Sequence, residues 1–427
     1  MHKIERLLQT LAPKGVGFRT LEEVFEIKNG YTPSKNNPEF WKNGTIPWFR
    51  MEDIRENGRI LKDSIQHITP KALKGKKLFP KNSIIISTTA TIGEHALLIV
   101  DSLANQQFTF LSKKANCDLA LDMKFFFYQC FLLGEWCKNN TNVSGFASVD
   151  MTAFKKYKFP IPPLEIQQEI VTILDAFTEL NTELNTELNA RKKQYQYYQN
   201  MLLDFNDINQ SHKDAKERLA QKPYPKRLKT LLHTLAPKGV VFRKLGEVCE
   251  ILDNRRIPIA KNKRNPGIYP YYGANGIQDY IDSYIFDGDF VLVGEDGSVI
   301  NKDNTPVVNW ASGKIWVNNH AHVLQTKNEL KLKFLYFYLQ TIDVSYCVAG
   351  TPPKINQENL KKITIPIPPL EIQQEIVKIL DQFSALTTDL QAGIPAEIKV
   401  RKKQYEYYRE KLLTFKPLTP NKEVKKC

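Results

Sequence analysis

Residues 161–174 read IPPLEIQQEIVTIL, and residues 367–380 read IPPLEIQQEIVKIL. The paired prolines at 162–163 and 368–369 suit a helix entrance, because proline fits the first turn, where its missing N–H is not needed. In the first copy the apolar positions Ile166, Ile170, Ile173, Phe177, Leu180 and Leu184 follow in alternating steps of four and three. That spacing predicts a long helix with a coiled-coil seam. Leu188 adds a second step of four, a stutter that locally unwinds a supercoil. The seam then resumes through Arg191, Tyr195, Tyr198, Leu202 and Phe205. The second copy runs through Ile372, Ile376, Ile379, Phe383, Leu386, Leu390, Ile394, Ile398, Arg401, Tyr405 and Tyr408 to Phe415. Gly393 and Pro395 predict a kink or break within it. Nothing else in the chain is long enough to meet either seam, so the two helices are expected to pair with each other, antiparallel.

Two further stretches repeat around this one. Residues 7–27 (LLQTLAPKGVGFRTLEEVFEI) return at 231–251 as LLHTLAPKGVVFRKLGEVCEI, and 191–198 (RKKQYQYY) return at 401–408 as RKKQYEYY. The offsets are 224, 206 and 210 residues, so the second insert is shorter by 18 and the second helix longer by four. The fold class read from this pattern is α+β. Two globular α+β domains are separated by two long helices packed as an antiparallel coiled coil, with an internal pseudo-two-fold repeat. The expected divisions are helical frames at 1–20 and 227–244, divergent domains at 21–158 and 245–364, and repeat helices at 159–205 and 365–415. A linker or loosely packed helix at 206–226 and a tail at 416–427 complete the chain. Within the divergent domains, Ser83–Thr88, Ala96–Val100, Tyr284–Val293 and Val317–Gln325 read as strands, and Met123–Cys137 and Leu330–Thr341 as helices. A chain of 427 residues is too long for one core.

The net charge is +14, from 60 Lys and Arg against 46 Asp and Glu, which points to a polyanionic partner. Six cysteines stand at 117, 130, 137, 249, 347 and 427 without a CxxC pair, as expected of a reducing cytoplasm rather than a zinc ribbon or dithiol site. His320 and His322 read as surface or packing residues, with no metal expected. No run is long and apolar enough for a signal peptide or membrane span, so neither a secretory leader nor a membrane partner is expected.

Motifs for chemistry are missing from the sequence. Ser312-Gly313-Lys314 lacks the upstream glycine of a phosphate loop, and no GxGxxG follows a strand. Asn37-Pro38-Glu39-Phe40 lacks the second proline of an amino-methyltransferase tetrad. Glu26-Ile27-Lys28 and Glu397-Ile398-Lys399 lack the Pro-Asp of a nuclease cluster, and no GxSxG is present. No catalytic residue is therefore expected. The inserts are instead rich in groups that contact nucleic acid: arginine for guanine, asparagine for adenine, and lysine and hydroxyls for phosphate. The candidates are Thr32, Ser34, Lys35, Arg50, Thr88 and Thr89 in the first insert. In the second they are Arg255, Arg256, Lys261, Lys263, Arg264, Tyr272, Asn275 and Lys354. Coiled-coil and partner-docking candidates are Ile166, Ile170, Phe177, Leu184, Tyr195, Ile372, Ile376, Phe383, Leu390 and Tyr405.

FPIPPLEIQQEIVTIL followed by ARKKQYQYY, given twice and each time after a divergent domain, resembles the specificity subunit of type I restriction-modification systems. The insert openings GYTPS…W…IPW and IYPYYGANGIQDYI are similar to that family's target recognition domains. The resemblance implies a noncatalytic cytoplasmic chain that reads a bipartite site in double-stranded DNA, one half per domain. It also implies docking of two adenine methyltransferase (modification) subunits, which two restriction subunits can join. S-adenosylmethionine in the modification subunit, and ATP and Mg in the restriction subunit, are expected in the complex and none in this chain. Two other readings stay open: a modification-only or type IIB-like system, and a coiled-coil scaffold whose inserts bind proteins.

Residues 181–188 read NTELNTEL, similar to the tetrapeptide repeats whose number sets half-site separation in some members. Four helical residues add roughly 6 Å and a net turn of about 40°. One DNA base pair rises about 3.4 Å and turns roughly 35°. Deleting Asn185–Leu188 should therefore shorten the nonspecific gap by one or two base pairs and leave both half-sites unchanged. Sequencing the methylated sites of the deletion strain checks this, and an unchanged gap refutes the ruler.

Overall fold

The computed structural model describes residues 2–75, 77–142, 147–209, 214–297, 299–388 and 393–418. They form two compact units, Met1–Glu183 with Lys399–Cys427, and Leu184–Ile398. The first repeat helix is a single 40-residue helix, Leu164–Leu203, with its first half in one unit and its second half in the other. The second copy is split into Leu370–Thr388 and Ile394–Leu413, with the break beside Gly393 and Pro395. Leu390 lies outside the described residues.

Each unit thus takes its helices from both copies, and the same aromatic stack joins them. In the first unit Phe177 stacks on Tyr408 at 5.5 Å, with Tyr405 at 6.3 Å from the same ring. In the second, Phe383 stacks on Tyr198 at 5.2 Å. Such pairs add about 0.5–1.5 kcal/mol beyond area burial. The early part of one helix meets the late part of the other in both cases, which is antiparallel pairing.

The first unit holds a five-stranded sheet in the order Phe25–Asn29, Phe108–Lys113, Ile84–Ser87, His95–Leu98, Ile60–Leu61. A three-stranded sheet of His67–Ile68, Ile46–Phe49 and Leu103–Ala104 lies in the same unit. The apolar runs read as strands are buried on both faces: Ile84, Ile85 and Ile86 are all fully buried. The helix Met123–Asn139 packs on this sheet through Phe125, Phe126 and Leu133. Gly134 and Gly93 meet backbone to backbone, and a Cβ on Gly134 would lie 2.6 Å from the Gly93 carbonyl oxygen. The second unit is built on a six-stranded sheet in the order Cys249–Ile251, Ala321–Thr326, Phe286–Gly294, Val308–Val317, Pro266–Gly273, Gly276–Ile281. Its packed helix is Leu332–Leu339. The strand expected over Val317–Gln325 crosses a turn: Val317 ends one strand and Ala321 begins the next, because Asn318 and His320 hold the connection through their own hydrogen bond.

The shared frame closes each domain in the same way. Gly17–Thr20 pairs antiparallel with Lys158–Ile161, and Val241–Lys244 with Thr364–Ile367, in equivalent register. Lys3 pairs with Glu169 at 2.5 Å and Arg227 with Glu375 at 3.1 Å, at equivalent positions. The stretch expected as a linker or loose helix contains the helix Ala215–Gln221, and its described residues pack on the second unit. Ile208 and Leu219 are fully buried, Tyr224 is buried, and Lys222 bridges Asp204 and Asp207 at 2.7 and 3.0 Å. Three apolar side chains in an otherwise polar segment suffice to dock it on the second unit's core.

The repeated QQ carries a clamp. Gln167 is fully buried; its Oε1 accepts from Asp122 N at 2.8 Å, and its Nε2 donates to Ala120 O at 2.9 Å and Pro162 O at 2.7 Å. Gln373 repeats this with Lys331 N at 2.8 Å, Glu329 O at 2.9 Å and Pro368 O at 2.7 Å. Every partner is backbone, so the clamp holds the start of each domain's packed helix without depending on the domain's side chains. Gln373→Ala removes all three bonds and leaves the buried Pro368 carbonyl without this partner, and should destabilise the second unit by about 1–3 kcal/mol. A lowered unfolding transition in calorimetry, with the equivalent effect for Gln167→Ala on the first unit, checks this.

Candidate nucleic-acid interface

In the first unit the loop after Phe25–Asn29 is held from below by tryptophans. Trp48 Nε1 donates to Tyr31 O and Trp41 Nε1 to Ser34 O, each at 2.9 Å, and the two indoles meet edge to face at 5.0 Å. Gly30 lies against the Ala104 and Asn105 carbonyls, with no room for a Cβ. Ser34 and Lys35 stand exposed at the tip, while Thr32 is half-buried and its hydroxyl is bonded to Gln106 Oε1. Arg50 is half-buried, with its guanidinium 5.8 Å from the Trp48 ring and 3.9 Å from Glu52. Thr88 is buried and bonded to Thr109 Oγ1 at 3.0 Å, which leaves the half-buried Thr89 as the more accessible of that pair. Lys35 and Ser34 are therefore the candidates here with free reach.

A neighbouring cleft of about 650 Å³ is lined by Arg55, Arg59, Thr91, Glu94, Lys138 and Thr141, among others. Arg59 binds Glu94 at 2.5 Å and donates to His95 O at 3.0 Å. The sequence reading missed these basic groups, because Arg55 lies in the helix Met51–Asn57 and Arg59 just after it, while Lys138 comes from the helix Met123–Asn139.

In the second unit the crowded cations of 255–264 separate into two kinds. Lys261 and Lys263 are exposed on a short 3-10 turn. Arg255 is exposed, with its guanidinium 4.8 Å over Phe286. Arg264 lies 4.1 Å over Tyr271, 3.4 Å from Asp279, and donates to Ile259 O. Arg256 is drawn inward to Glu295 at 2.6 Å and Asp253 at 3.4 Å, and donates to Ala321 O. It serves the fold, because its guanidinium is saturated by buried acceptors. Lys354 is exposed but 3.0 Å from Glu295. Asn275 stands exposed in the turn after the buried Tyr272, next to Gly276 at φ +99°. Lys314, 4.7 Å over the Tyr284 ring, was not singled out from sequence; the Tyr284 hydrogen bond raises its pKa and keeps it a firm cation.

Asp253, Glu295 and His322 come close enough to share a cation. Their donors are already engaged, however. His322 is fully buried, with Nδ1 2.6 Å from Asp253 and Nε2 2.8 Å from Ile355 O, while Arg256 and Lys354 sit on Glu295. Burial pushes the Asp253 carboxyl up, but the His322 hydrogen bond and the His322 and Arg256 charges outweigh it and hold it below the usual range. These contacts form an ion network that braces the domain.

The seam candidates also divide. Ile166, Ile170, Ile372 and Ile376 are fully buried in the unit cores and offer no surface to a partner. Phe177, Phe383, Tyr195 and Tyr405 are half-buried and pack between helices or on a core, and Leu184 is half-buried. Among the described residues no helix is long and apolar enough to cross a membrane.

The model of the type I restriction modification DNA specificity domain matches residues 13–194 and again 237–400. The type I restriction enzyme EcoprrI specificity subunit of Escherichia coli is 40% identical over 385 residues, covering 87% of this chain and 88% of that protein. A type I restriction-modification S subunit from M. genitalium shares the fold with a TM-score of 0.55 at 15% identity, over 93% of this chain and 96% of that one. A chain solved in work on complex assembly and conformational transition of the type I R-M system gives 0.58 at 18% identity, over 93% and 97%.

Burial of His95 yields a test of how the cleft is held. The imidazole packs against Phe127 and Phe131, and burial, helped by the Arg59 and Arg409 charges, pushes its pKa down from 6.5 to about 3. The unfolded chain binds a proton below pH 6.5 that the folded chain refuses until about pH 3. Stability is therefore lost as pH falls through that window, by about 1.4 kcal/mol per pH unit. His95→Leu should remove this component, so its unfolding temperature should fall less steeply than that of the parent between pH 6.5 and 4.

Proposed function

The chain belongs to the type I restriction-modification DNA specificity family, the noncatalytic part of such systems that recognises DNA sequence, and from that premise we propose that its two divergent domains each read one half of a bipartite duplex site. The duplication carries this reading. Two equal frames clamp two unlike domains through equivalent backbone bonds, the arrangement expected when one geometry must serve two recognition surfaces. The free cations Lys35, Lys261 and Lys263 and the turn residue Asn275 are the groups with reach to phosphate and base edges.

The reading extends to docking of two modification subunits, which supply methyl transfer to adenine from S-adenosylmethionine. Matched exposure supports it. Leu11 and Leu235 are 41% and 40% exposed, and Tyr197 and Tyr407 are 60% and 59% exposed, at equivalent positions of the two copies. A large apolar side chain left exposed at the same place in both copies fits two copies of one partner. Restriction subunits, with ATP and Mg, would join that assembly.

Modified-base sequencing of genomic DNA, with the gene intact and deleted, tests the whole. The expected result is a split motif with methyladenine on both strands that disappears on deletion. Contact with ~6–10 phosphates predicts a loss of affinity of ~10³–10⁵-fold between 50 and 200 mM salt. A salt-insensitive complex sinks the DNA-reading function. Tyr197→Arg with Tyr407→Arg should abolish stable association with the modification subunit in size-exclusion chromatography while leaving the circular dichroism unchanged.

A further inference from the structure

The strands Pro266–Gly273 and Gly276–Ile281 form an antiparallel ribbon at the edge of the second unit's sheet. A two-stranded ribbon fits the major groove of B-DNA. On this ribbon stands Gln278, an exposed residue whose amide is nevertheless oriented by a buried neighbour. Its Oε1 accepts from Asn318 Nδ2 at 3.4 Å. Asn318 is itself buried, and its Oδ1 accepts from His320 N at 2.8 Å. The backbone N–H of His320 therefore decides which end of Asn318 is the donor, and Asn318 decides which end of Gln278 is the oxygen. The Nε2 end lies over Gly273, in the space a side chain would fill: a Cβ there would be 2.0 Å from Nε2. Exposed glutamines ordinarily have many rotamers to lose on binding; the Asn318 bond restrains this one beforehand.

We infer that Gln278 reads an adenine in the half-site of the second domain. A carboxamide with its oxygen and nitrogen so fixed can accept from adenine N6–H through the second lone pair of Oε1 and donate from Nε2 to N7. Asn318 and Gly273 are positioning residues: one orients the amide and the other leaves it room. The inference rests on the reading that this domain binds duplex DNA.

The test uses the intact complex with its modification subunit and the half-site established by modified-base sequencing. Each adenine of the second half-site is replaced in turn by 7-deazaadenine, which keeps base pairing and removes the N7 acceptor. One replacement should weaken binding by the parent by roughly 5- to 150-fold. The same replacement should leave binding by Gln278→Ala unchanged. Gly273→Ala meets only the movable end of Gln278, so it should lose the same discrimination with its unfolding temperature retained. An equal 7-deazaadenine penalty in parent and Gln278→Ala, or a uniform loss across all duplexes, overturns the inference while leaving DNA reading intact. No preference of the parent for its half-site over an unrelated duplex overturns both.

Discussion

A buried glutamine that bonds only to backbone is the contact on which this architecture depends. Gln167 and Gln373 each bind two main-chain carbonyls and one main-chain N–H, with distances that agree within 0.1 Å between the copies. A side chain that recognised its neighbour by side-chain shape would tie the frame to one insert. Backbone groups are present whatever the sequence, so the two domains can differ in every surface residue while meeting the same helix start. Losing such a contact costs most at the buried carbonyls of Pro162 and Pro368, which have no water to replace the glutamine.

The second constraint is the crossed use of the two copies. Each unit contains the beginning of one repeat helix and the end of the other, stacked through Phe177 on Tyr408 or Phe383 on Tyr198. The C-terminal segment takes part in the same way: Val16 N bonds Lys416 O in the first unit, as Val240 N bonds Ile208 O in the second. Neither half of the chain therefore completes its own unit. The frame residues that remain exposed in both copies are left over from this packing, and they are where the proposed partner surface lies.

Much of this was legible in the chain. The repeat gave the duplicated frame and the periodicity gave the helices, because a 40-residue seam and a Gly–Pro break are local signals. The SIIIST run and the apolar Met123–Cys137 segment likewise became strand and helix where expected. The site was legible only in part. Arg256 and Lys261 look alike in a run of cations, yet one is consumed by Glu295, 39 residues away, and the other is exposed. Leu180 fits the seam by spacing but is 44% exposed, since spacing marks a stripe and not what covers it. How the described part of 206–226 packs was not legible, because three apolar residues among polar ones carry no periodicity.

What the sequence by itself determined is the organisation: two copies of one frame, two unlike domains, paired long helices and no catalytic motif. These follow from repetition and period, which need no knowledge of distant neighbours. Only the tertiary structure decided which polar groups are free and which are spent. Gln278 is fixed by Asn318 and by the absence of a side chain at Gly273, contacts between residues that share no local pattern. A hydrogen bond depends on where two atoms meet, and across a folded sheet that is settled by the register of strands rather than by the order of residues.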